Sequence, residues 1–166
     1  MSYLFMGSML SQSVELQWYK QDFLKQLRNF ELPEEKAQFT AFPVELLEEL
    51  VDGQYPIVIL NKNEPVGFFL LHSTNRVKEY SDNPHALLLT ALSINNLHQG
   101  KGFATKGMNL LKDFVNQELP QYDEIVLAVN HKNIPAQKLY EKVGYSDTGK
   151  RKIGKLGEQL IFSISV

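Results

Sequence analysis

The chain has 166 residues, of which 43% are hydrophobic and 22% are charged, with a net charge of −2 and no cysteine. This composition suits one folded domain and excludes a disordered chain, a disulfide-stapled protein, a thiolate metal centre and a cysteine nucleophile. The weak net charge argues against a general nucleic-acid binder. We therefore predict a single domain spanning residues 1–166, with no metal site and no nucleic-acid partner.

The first ten residues are apolar, but no cationic stretch precedes them as a signal peptide would require. Met6 and Met9 are further candidate start positions, so we expect this segment to be disordered or to precede an alternative start. No apolar run approaches the roughly 20 residues that a membrane helix needs. We expect a cytoplasmic protein with no membrane partner, present as a monomer or a homodimer.

The N-terminal third mixes strand and helix patterns. Residues 13–19 alternate as a strand does, and residues 19–30 repeat apolar side chains at helical spacing. A polar, proline-punctuated connection follows, and residues 43–53 have the proline start and glycine stop of a short helix. Residues 57–60 and 66–72 are predicted to form a hairpin across the turn NKNE.

The second half alternates apolar strands and helices. Residues 86–94, ALLLTALSI, are apolar almost throughout, which is typical of a strand buried on both faces. Five further elements are predicted: a helix at 101–119, a buried strand at 123–129, a helix at 133–144, and a final strand pair at 145–150 and 159–166. The order β-α-α-β-β-β-α-β-α-β-β indicates an α/β fold with a central mixed sheet flanked by helices.

The segment NNLHQGKGFATKG, residues 95–107, joins the apolar strand to the long helix; we call it the glycine turn. Gly100 and Gly102 allow the backbone to approach a ligand, and the free N–H groups that open the next helix favour an anion. Lys101 and Lys106 add positive charge. The segment indicates an anion site, although a ligand-free glycine-rich connection has the same composition.

Two common phosphate motifs fail at particular positions. A P-loop needs Lys and then Ser or Thr directly after its second glycine, whereas Met108 and Asn109 follow Gly107. A dinucleotide-binding turn needs a third glycine, where Thr105 stands, and an acidic residue at the end of the next strand, near Asn130. Neither kind of site is consistent with this sequence.

A third motif matches. Gln99-x-x-Gly102-x-Ala104 resembles the Gln/Arg-x-x-Gly-x-Gly/Ala signature of the Gcn5-related N-acetyltransferases, the GNAT superfamily. The later segment VNHKNIPAQKLYEKVGY resembles the family's second signature, Asn-x-x-Ala-x-x-Leu-Tyr-x-x-x-Gly-Phe/Tyr. Its matching positions are Asn133, Ala136, Leu139, Tyr140, Gly144 and Tyr145. The resemblance is clear over residues 86–145, whereas residues 13–53 match the family only in outline.

Resemblance to this family implies a single-domain GNAT-like fold that binds acetyl-coenzyme A. The pyrophosphate would lie on the backbone N–H groups of the glycine turn, with Gln99 helping to shape it. The preceding strand would splay from the next one and pair with the pantetheine arm. The coenzyme-binding residues so implied are Leu92, Ser93, Ile94, Gln99, Gly100, Lys101, Gly102, Phe103, Ala104, Thr105, Asn133 and Ala136.

Two of these family positions have a second interpretation. Asn133 is either a simple helix N-cap or a contact of the pantetheine and acetyl groups, and one Asn can do both. Tyr140 lies on an apolar helix face, so periodicity alone predicts packing. The family places a tyrosine here that protonates the leaving thiolate, and a phenol is protonated at neutral pH. On the motif match we predict that Tyr140 is the catalytic acid.

The general base is an open question in this sequence. Many family members carry a carboxylate on the strand before the glycine turn, where this chain has Thr90 and Ala91. A water chain, a backbone carbonyl or a distant carboxylate such as Glu79 could serve, or the amine could arrive neutral. His72 and His98 titrate in a useful range. However, His72 alternates with core residues and His98 lies in the turn.

The acceptor is the least determined part of the reaction. Acceptor pockets in this family are built largely from the N-terminal helices and the loop before the long central strand, here about residues 30–53 and 75–84. The first of these segments holds an acidic set: Glu31, Glu34, Glu35, Glu45, Glu48 and Glu49. These would attract a cationic amine such as a polyamine, or they are ordinary solvated charges. We expect acetyl transfer to a small-molecule amine. The alternatives are a protein or peptide amine as acceptor, and a non-catalytic coenzyme-A-binding regulatory domain.

Overall fold

The computed structural model describes residues 13–166. The prediction for the first ten residues lies outside this range. Seven strands form one sheet in the order β1-β2-β3-β4-β5-β7-β6. The strands are β1 (Val14–Trp18), β2 (Gln54–Asn61), β3 (Glu64–His72), β4 (Ala86–Ile94), β5 (Glu124–Asn130), β6 (Ser146–Gly154) and β7 (Gly157–Ser165). All neighbouring pairs are antiparallel except β4 and β5, which are parallel.

Within residues 13–166, five α-helices flank the sheet. They are α1 (Leu24–Arg28), α2 (Glu34–Ala37), α3 (Pro43–Glu48), α4 (Phe103–Glu118) and α5 (Ile134–Lys142). Short 3-10 turns lie at Gln21–Phe23, Asn75–Glu79 and Asn96–His98. None of the helices within residues 13–166 is long and apolar enough to cross a membrane.

The predicted α/β fold with a mixed sheet is confirmed, but two helices predicted in the N-terminal third were wrong in extent, and one helix there was not predicted. The helix expected over residues 19–30 is a 3-10 turn followed by α1, and the helix expected over 43–53 ends at Glu48. The connection predicted between them contains the additional helix α2. These helices span four to six residues each. Helices this short depend on tertiary contacts, so local periodicity does not set where they end.

The two faces of the sheet bury different parts of the chain. One face packs against α4 and α5 through the largest core cluster, which includes Leu71, Leu89 and Leu111. The opposite face carries two separate clusters. One joins Phe68 and Leu70 to the N-terminal helices, and the other surrounds Leu88 and the 3-10 turn at Asn75–Glu79. The polar side chains described below lie between these two clusters.

The turn chemistry of the first hairpin explains why it was predictable. Lys62 and Asn63 both have positive φ angles, of 50° and 68°. Two central residues with positive φ form the type of turn that matches the twist of a two-residue hairpin, and Asn tolerates it well. The turn NKNE therefore connects β2 and β3 as predicted, with strands longer than the sequence indicated.

Candidate active site

A gap opens between the two parallel strands at the centre of the sheet. β4 pairs with β5 only at its first three residues, from Ala86 to Leu88. β5 meanwhile continues to pair with β7 as far as Asn130. Beyond Leu88, the edge of β4 that faces β5 therefore has backbone N–H and C=O groups without a strand partner in the described part of the chain. We call the gap between β4 after Leu88 and β5 after Val126 the slot.

A bulge in β4 accompanies the slot. The register with β3 shifts between Phe68 and Leu70, and Ala91 has a φ of 60°, which is rare for a residue other than glycine. Residues 90–92 are partly exposed, although residues 86–89 are buried. The prediction that the whole strand is buried on both faces was therefore wrong. The reason is that β5 stops pairing with β4 after Leu88, the third residue of β4.

The glycine turn lies at the end of β4 and opens α4. Gly100 and Gly102 have φ angles of 78° and 81°, which L side chains rarely adopt. A Cβ added to either glycine would meet no described atom within 4 Å, so this side of the turn is open. Gly102 is the N-cap of α4 and has no side-chain cap. The free N–H groups of the first helical turn, which follow Gly102, are consequently available to an anion.

Gln99 braces the turn by hydrogen bonds on both sides. Its Nε2 donates to the Ile94 carbonyl at 2.9 Å, and its Oε1 accepts a hydrogen bond from Lys36 Nζ. Asn95 Oδ1 accepts from the Glu31 backbone N–H at 3.0 Å, and the Asn96 N–H donates to the Glu31 carbonyl at 2.7 Å. The segment around α2 is therefore fastened to the glycine turn, a contact that sequence reasoning missed.

Helix α5 follows β5 at the same edge of the sheet as the glycine turn, because β4 and β5 are parallel. Asn133 caps this helix: its Oδ1 accepts from the Ala136 N–H at 3.3 Å. The N-cap interpretation is thus correct, and a ligand contact is left as a proposal. Asn130 is buried at the end of β5 and its Oδ1 accepts from the Lys132 N–H at 2.9 Å. Sequence reasoning did not single out this brace.

Tyr140 lies on the face of α5 that packs into the main core. Only 8% of the residue is exposed, and its ring meets Tyr145 edge-on at 5.4 Å between centroids. Its hydroxyl has no hydrogen-bond partner among the described residues. Burial raises the pKa of Tyr140 well above the usual phenol value, so the phenol is protonated at neutral pH. Packing and proton donation are compatible at this position.

Thr90, where the family resemblance implied a carboxylate, belongs to a polar pair instead. The Nε2 of His72 lies 2.6 Å from Thr90 Oγ1. His72 is only 1% exposed, and its Nδ1 lies 3.5 Å from Gln54 Nε2. Burial lowers the pKa of His72 to about 4, and the charge of Arg76 acts in the same direction. His72 is therefore neutral at physiological pH.

The other two candidate bases are engaged elsewhere. Glu79 accepts a hydrogen bond from Lys152 Nζ at 2.8 Å, and this contact lowers the pKa of the Glu79 carboxyl. His98 lies in the 3-10 turn after β4, with its Nε2 3.8 Å from Glu64 Oε1. Its ring meets the Phe103 ring edge-on, 6.0 Å away between centroids. Neither group belongs to the His72–Thr90 pair.

A set of exposed carboxylates surrounds the N-terminal helices. All members of the set are exposed, and none has an ion-pair partner among the described residues; we call them the acidic rim: Glu31, Glu34, Glu35, Glu45, Glu48 and Glu49. Lys36 is the one basic residue between Glu31 and Glu49. This part of the surface is consequently negative, whereas the glycine turn carries Lys101 and Lys106.

The comparison with known families decides between the candidate classes. A model of the Acetyltransferase (GNAT) family matches residues 17–145, more than half of the chain. The chain belongs to the GNAT acetyltransferase family. This GNAT protein is therefore an acyltransferase, and the resemblance seen in the two sequence signatures is confirmed. The match also includes part of the N-terminal third, where the sequence resembled the family only in outline.

Relatives in sequence and structure agree with this assignment. The GNAT protein is 47% identical over 155 residues to the uncharacterized N-acetyltransferase YbbJ of Bacillus subtilis (strain 168), covering 92% of this chain and 97% of that one. Its fold is similar to aminoglycoside acetyltransferase AAC(6')-Ib with coenzyme A and kanamycin, at TM-score 0.73, 18% identity and coverage of 92% and 95%. It is also similar to spermidine N-acetyltransferase from Vibrio cholerae with coenzyme A and spermine, at TM-score 0.70, 20% identity and the same coverage.

Proposed function

We propose that this GNAT protein transfers an acetyl group from acetyl-coenzyme A directly to a primary amine of a small cationic molecule. The observation that supports this most is the slot, which parts two parallel strands at the edge where the glycine turn and α5 begin. In open sheets, ligands bind outside the carboxyl ends of parallel strands. Both groups of the proposed donor site, an anion cradle and a row of unpaired backbone groups, lie at that edge.

The donor side combines two kinds of backbone contact. The N–H groups from Gly100 to Thr105 hold the pyrophosphate. The positive φ angles of Gly100 and Gly102 orient these groups toward it. The unpaired edge of β4 at Leu92–Ile94 pairs with the pantetheine arm as a neighbouring strand would. The remaining members of the proposed donor site are Gln99, Asn133 and Ala136.

The transfer is a direct displacement. The nitrogen lone pair of the amine forms the new C–N bond at the acetyl carbonyl, while the thioester C–S bond breaks. Tyr140 gives its phenol proton to the departing sulfur. The amine nitrogen loses one proton to solvent, and solvent returns one proton to Tyr140. Because the Tyr140 phenol is buried and protonated, it can donate without first taking up a proton.

The acceptor side supports a cationic small molecule. The acidic rim lies on and next to the N-terminal helices, and its members have no ion-pair partner within the described residues. Negative potential raises the local concentration of a cationic amine. Two proteins of similar fold are solved with coenzyme A and a small cationic acceptor, kanamycin in one and spermine in the other.

The experiment is a panel of amines incubated with purified protein and acetyl-coenzyme A, with the released thiol detected. We expect turnover with polyamine-type or aminoglycoside-type amines and little with peptides. Turnover restricted to peptide N-termini or lysines contradicts the small-molecule assignment. Tight coenzyme binding without turnover on any acceptor would instead indicate a regulatory domain.

A further inference from the structure

His72 and Thr90 form a pair whose hydrogen-bond directions are set by their neighbours. Gln54 Oε1 accepts from the Val51 backbone N–H at 3.0 Å, so the amide nitrogen of Gln54 faces His72 Nδ1. A neutral imidazole has one donor and one acceptor nitrogen, and Nδ1 is here the acceptor. Nε2 therefore carries the hydrogen and donates it to Thr90 Oγ1 at 2.6 Å. This leaves one lone pair of Oγ1 unoccupied.

Thr90 is the first residue past the end of the β4–β5 pairing on its face of the sheet. Side chains alternate along β4, so Thr90 follows Ala86 and Leu88 on the face away from α4. Ala86 and Leu88 are buried in one apolar cluster, and Leu70, opposite Thr90, is buried in the other. Thr90 itself is partly exposed. Its hydroxyl therefore lies between two apolar clusters, at the entrance of the slot.

A second polar group lies on the same stretch of strand. The bulge at Ala91 adds one residue to β4, so Ser93 pairs with Phe68 just as Thr90 pairs with Leu70. Phe68 and Leu70 share a face, and Ser93 therefore lies on the same face as Thr90. Ser93 is 5% exposed, and its Oγ has no hydrogen-bond partner among residues 13–166. Buried hydroxyls normally have hydrogen-bond partners. Ser93 is therefore a second polar group on this face, in addition to the His72–Thr90 pair.

We propose that Thr90 contacts the acceptor amine, accepting a hydrogen bond from its N–H group, and that His72 is a positioning residue that holds the Thr90 hydroxyl in place. The proposal rests on the proposed function, since it concerns the amine of that reaction. An amine held by one N–H keeps its lone pair free to attack the acetyl carbonyl. Accepting a hydrogen bond also stabilises the positive charge that develops on nitrogen during the attack.

The pair differs from a carboxylate because it cannot remove a proton. A hydroxyl that accepts from a neutral imidazole has no charge to offer an ammonium group. Arg76 is the charged group whose field acts on His72, and it opposes protonation. Gln54 and Thr90, which bond His72, are neutral, and Glu79 on the same 3-10 turn as Arg76 is bound by Lys152. The substrate amine must therefore lose its proton to water before it attacks.

The test uses full-length protein and a double-mutant cycle on kcat/KM. Thr90→Val removes the hydroxyl at nearly constant shape and should lower kcat/KM by about 10- to 100-fold, with the Kd for coenzyme A unchanged. Thr90→Ser restores the hydroxyl and should lose no more than about threefold. His72→Leu should cost about tenfold in the wild-type background and nothing further in Thr90→Val, because His72 acts through Thr90. His72→Gln keeps an N–H donor and should recover most of that loss.

The pH profile supplies a readout that a purely structural role would not change. For two amines whose own pKa values differ by about two units, kcat/KM should rise with pH up to each amine's pKa. An inflection common to both amines that disappears in His72→Leu would show that His72 is the base and overturn the proposal. Wild-type kcat/KM in Thr90→Val, or additive losses in the cycle, would overturn it as well. If the wild type uses only peptides, the small-molecule assignment fails, and the same variants then decide the role of Thr90 on a peptide.

Discussion

The proposed donor side and the proposed acceptor side of this protein are built on different principles. The donor side, from β4 to α5, is made of backbone: positive-φ glycines, an unpaired strand edge and the first turn of α4. The acceptor side is made of short helices fastened to the glycine turn by side chains from distant parts of the sequence. Backbone geometry leaves regular traces in a sequence, whereas long-range side-chain contacts do not. The comparison therefore predicts which substitutions affect coenzyme binding and which affect turnover.

The largest expected effect separates chemistry from binding within the donor side. Tyr140→Phe keeps the packing against Tyr145 and removes only the hydroxyl, which has no hydrogen-bond partner among the described residues. Loss of a general acid costs about 100- to 1,000-fold in kcat, and we expect that range here with an unchanged Kd for coenzyme A.

Tyr145→Phe is the matched control, since Tyr145 is also buried and is the other member of the same ring pair. It should leave kcat within about threefold of the wild type, as a lost hydroxyl away from the chemistry has a small effect. A stopped assay of thiol release measures kcat, and calorimetric titration measures the Kd for coenzyme A. Unchanged kcat in Tyr140→Phe would remove Tyr140 from the reaction and leave it as a packing residue.

The next effect tests whether the glycine turn acts through its backbone. Gly102→Ala places a Cβ on a residue with a φ of 81° and strains it by about 1–2 kcal/mol. The turn then relaxes, and its N–H groups no longer point toward the pyrophosphate. We expect the Kd for coenzyme A to rise by about 5- to 30-fold, with little change for pantetheine, which lacks the pyrophosphate.

Gly149→Ala on β6 is the control for that strain. Gly149 has a φ of 83°, and a Cβ there also meets no described atom within 4 Å. Both variants should lose similar stability in thermal unfolding, but only Gly102→Ala should weaken coenzyme binding. An equal Kd for the two variants would place the pyrophosphate elsewhere.

The same contrast explains how far sequence reasoning reached. The bounds of β4, the turn at the start of α4 and the start of α5 could be predicted. Their signals are local in the sequence: an apolar run, glycines and the Asn133 cap. The Thr90 position could be identified as lacking a carboxylate, but its partner could not, because His72 and Thr90 meet only when β3 pairs with β4. The sequence showed that His72 alternates with core residues on β3, but it could not show the hydrogen bond to Thr90.

The smallest expected effect tests whether the two sides are as separate as their construction implies. Lys36 belongs to α2 on the acceptor side, yet its Nζ donates to Gln99 Oε1 in the glycine turn. Lys36→Gln removes a positive charge there, and exposed charges contribute roughly 0.2–1 kcal/mol. We therefore expect the Kd for coenzyme A to rise by about two- to fivefold, less so at high salt because the interaction is screened.

Lys25→Gln, the same charge change at an exposed residue of α1, should leave the Kd unaltered. Equal effects of the two variants would mean that only net charge matters. A Lys36-specific effect that disappears with pantetheine as ligand would mean that the acceptor helices help to hold the donor, so that ordering one side prepares the other.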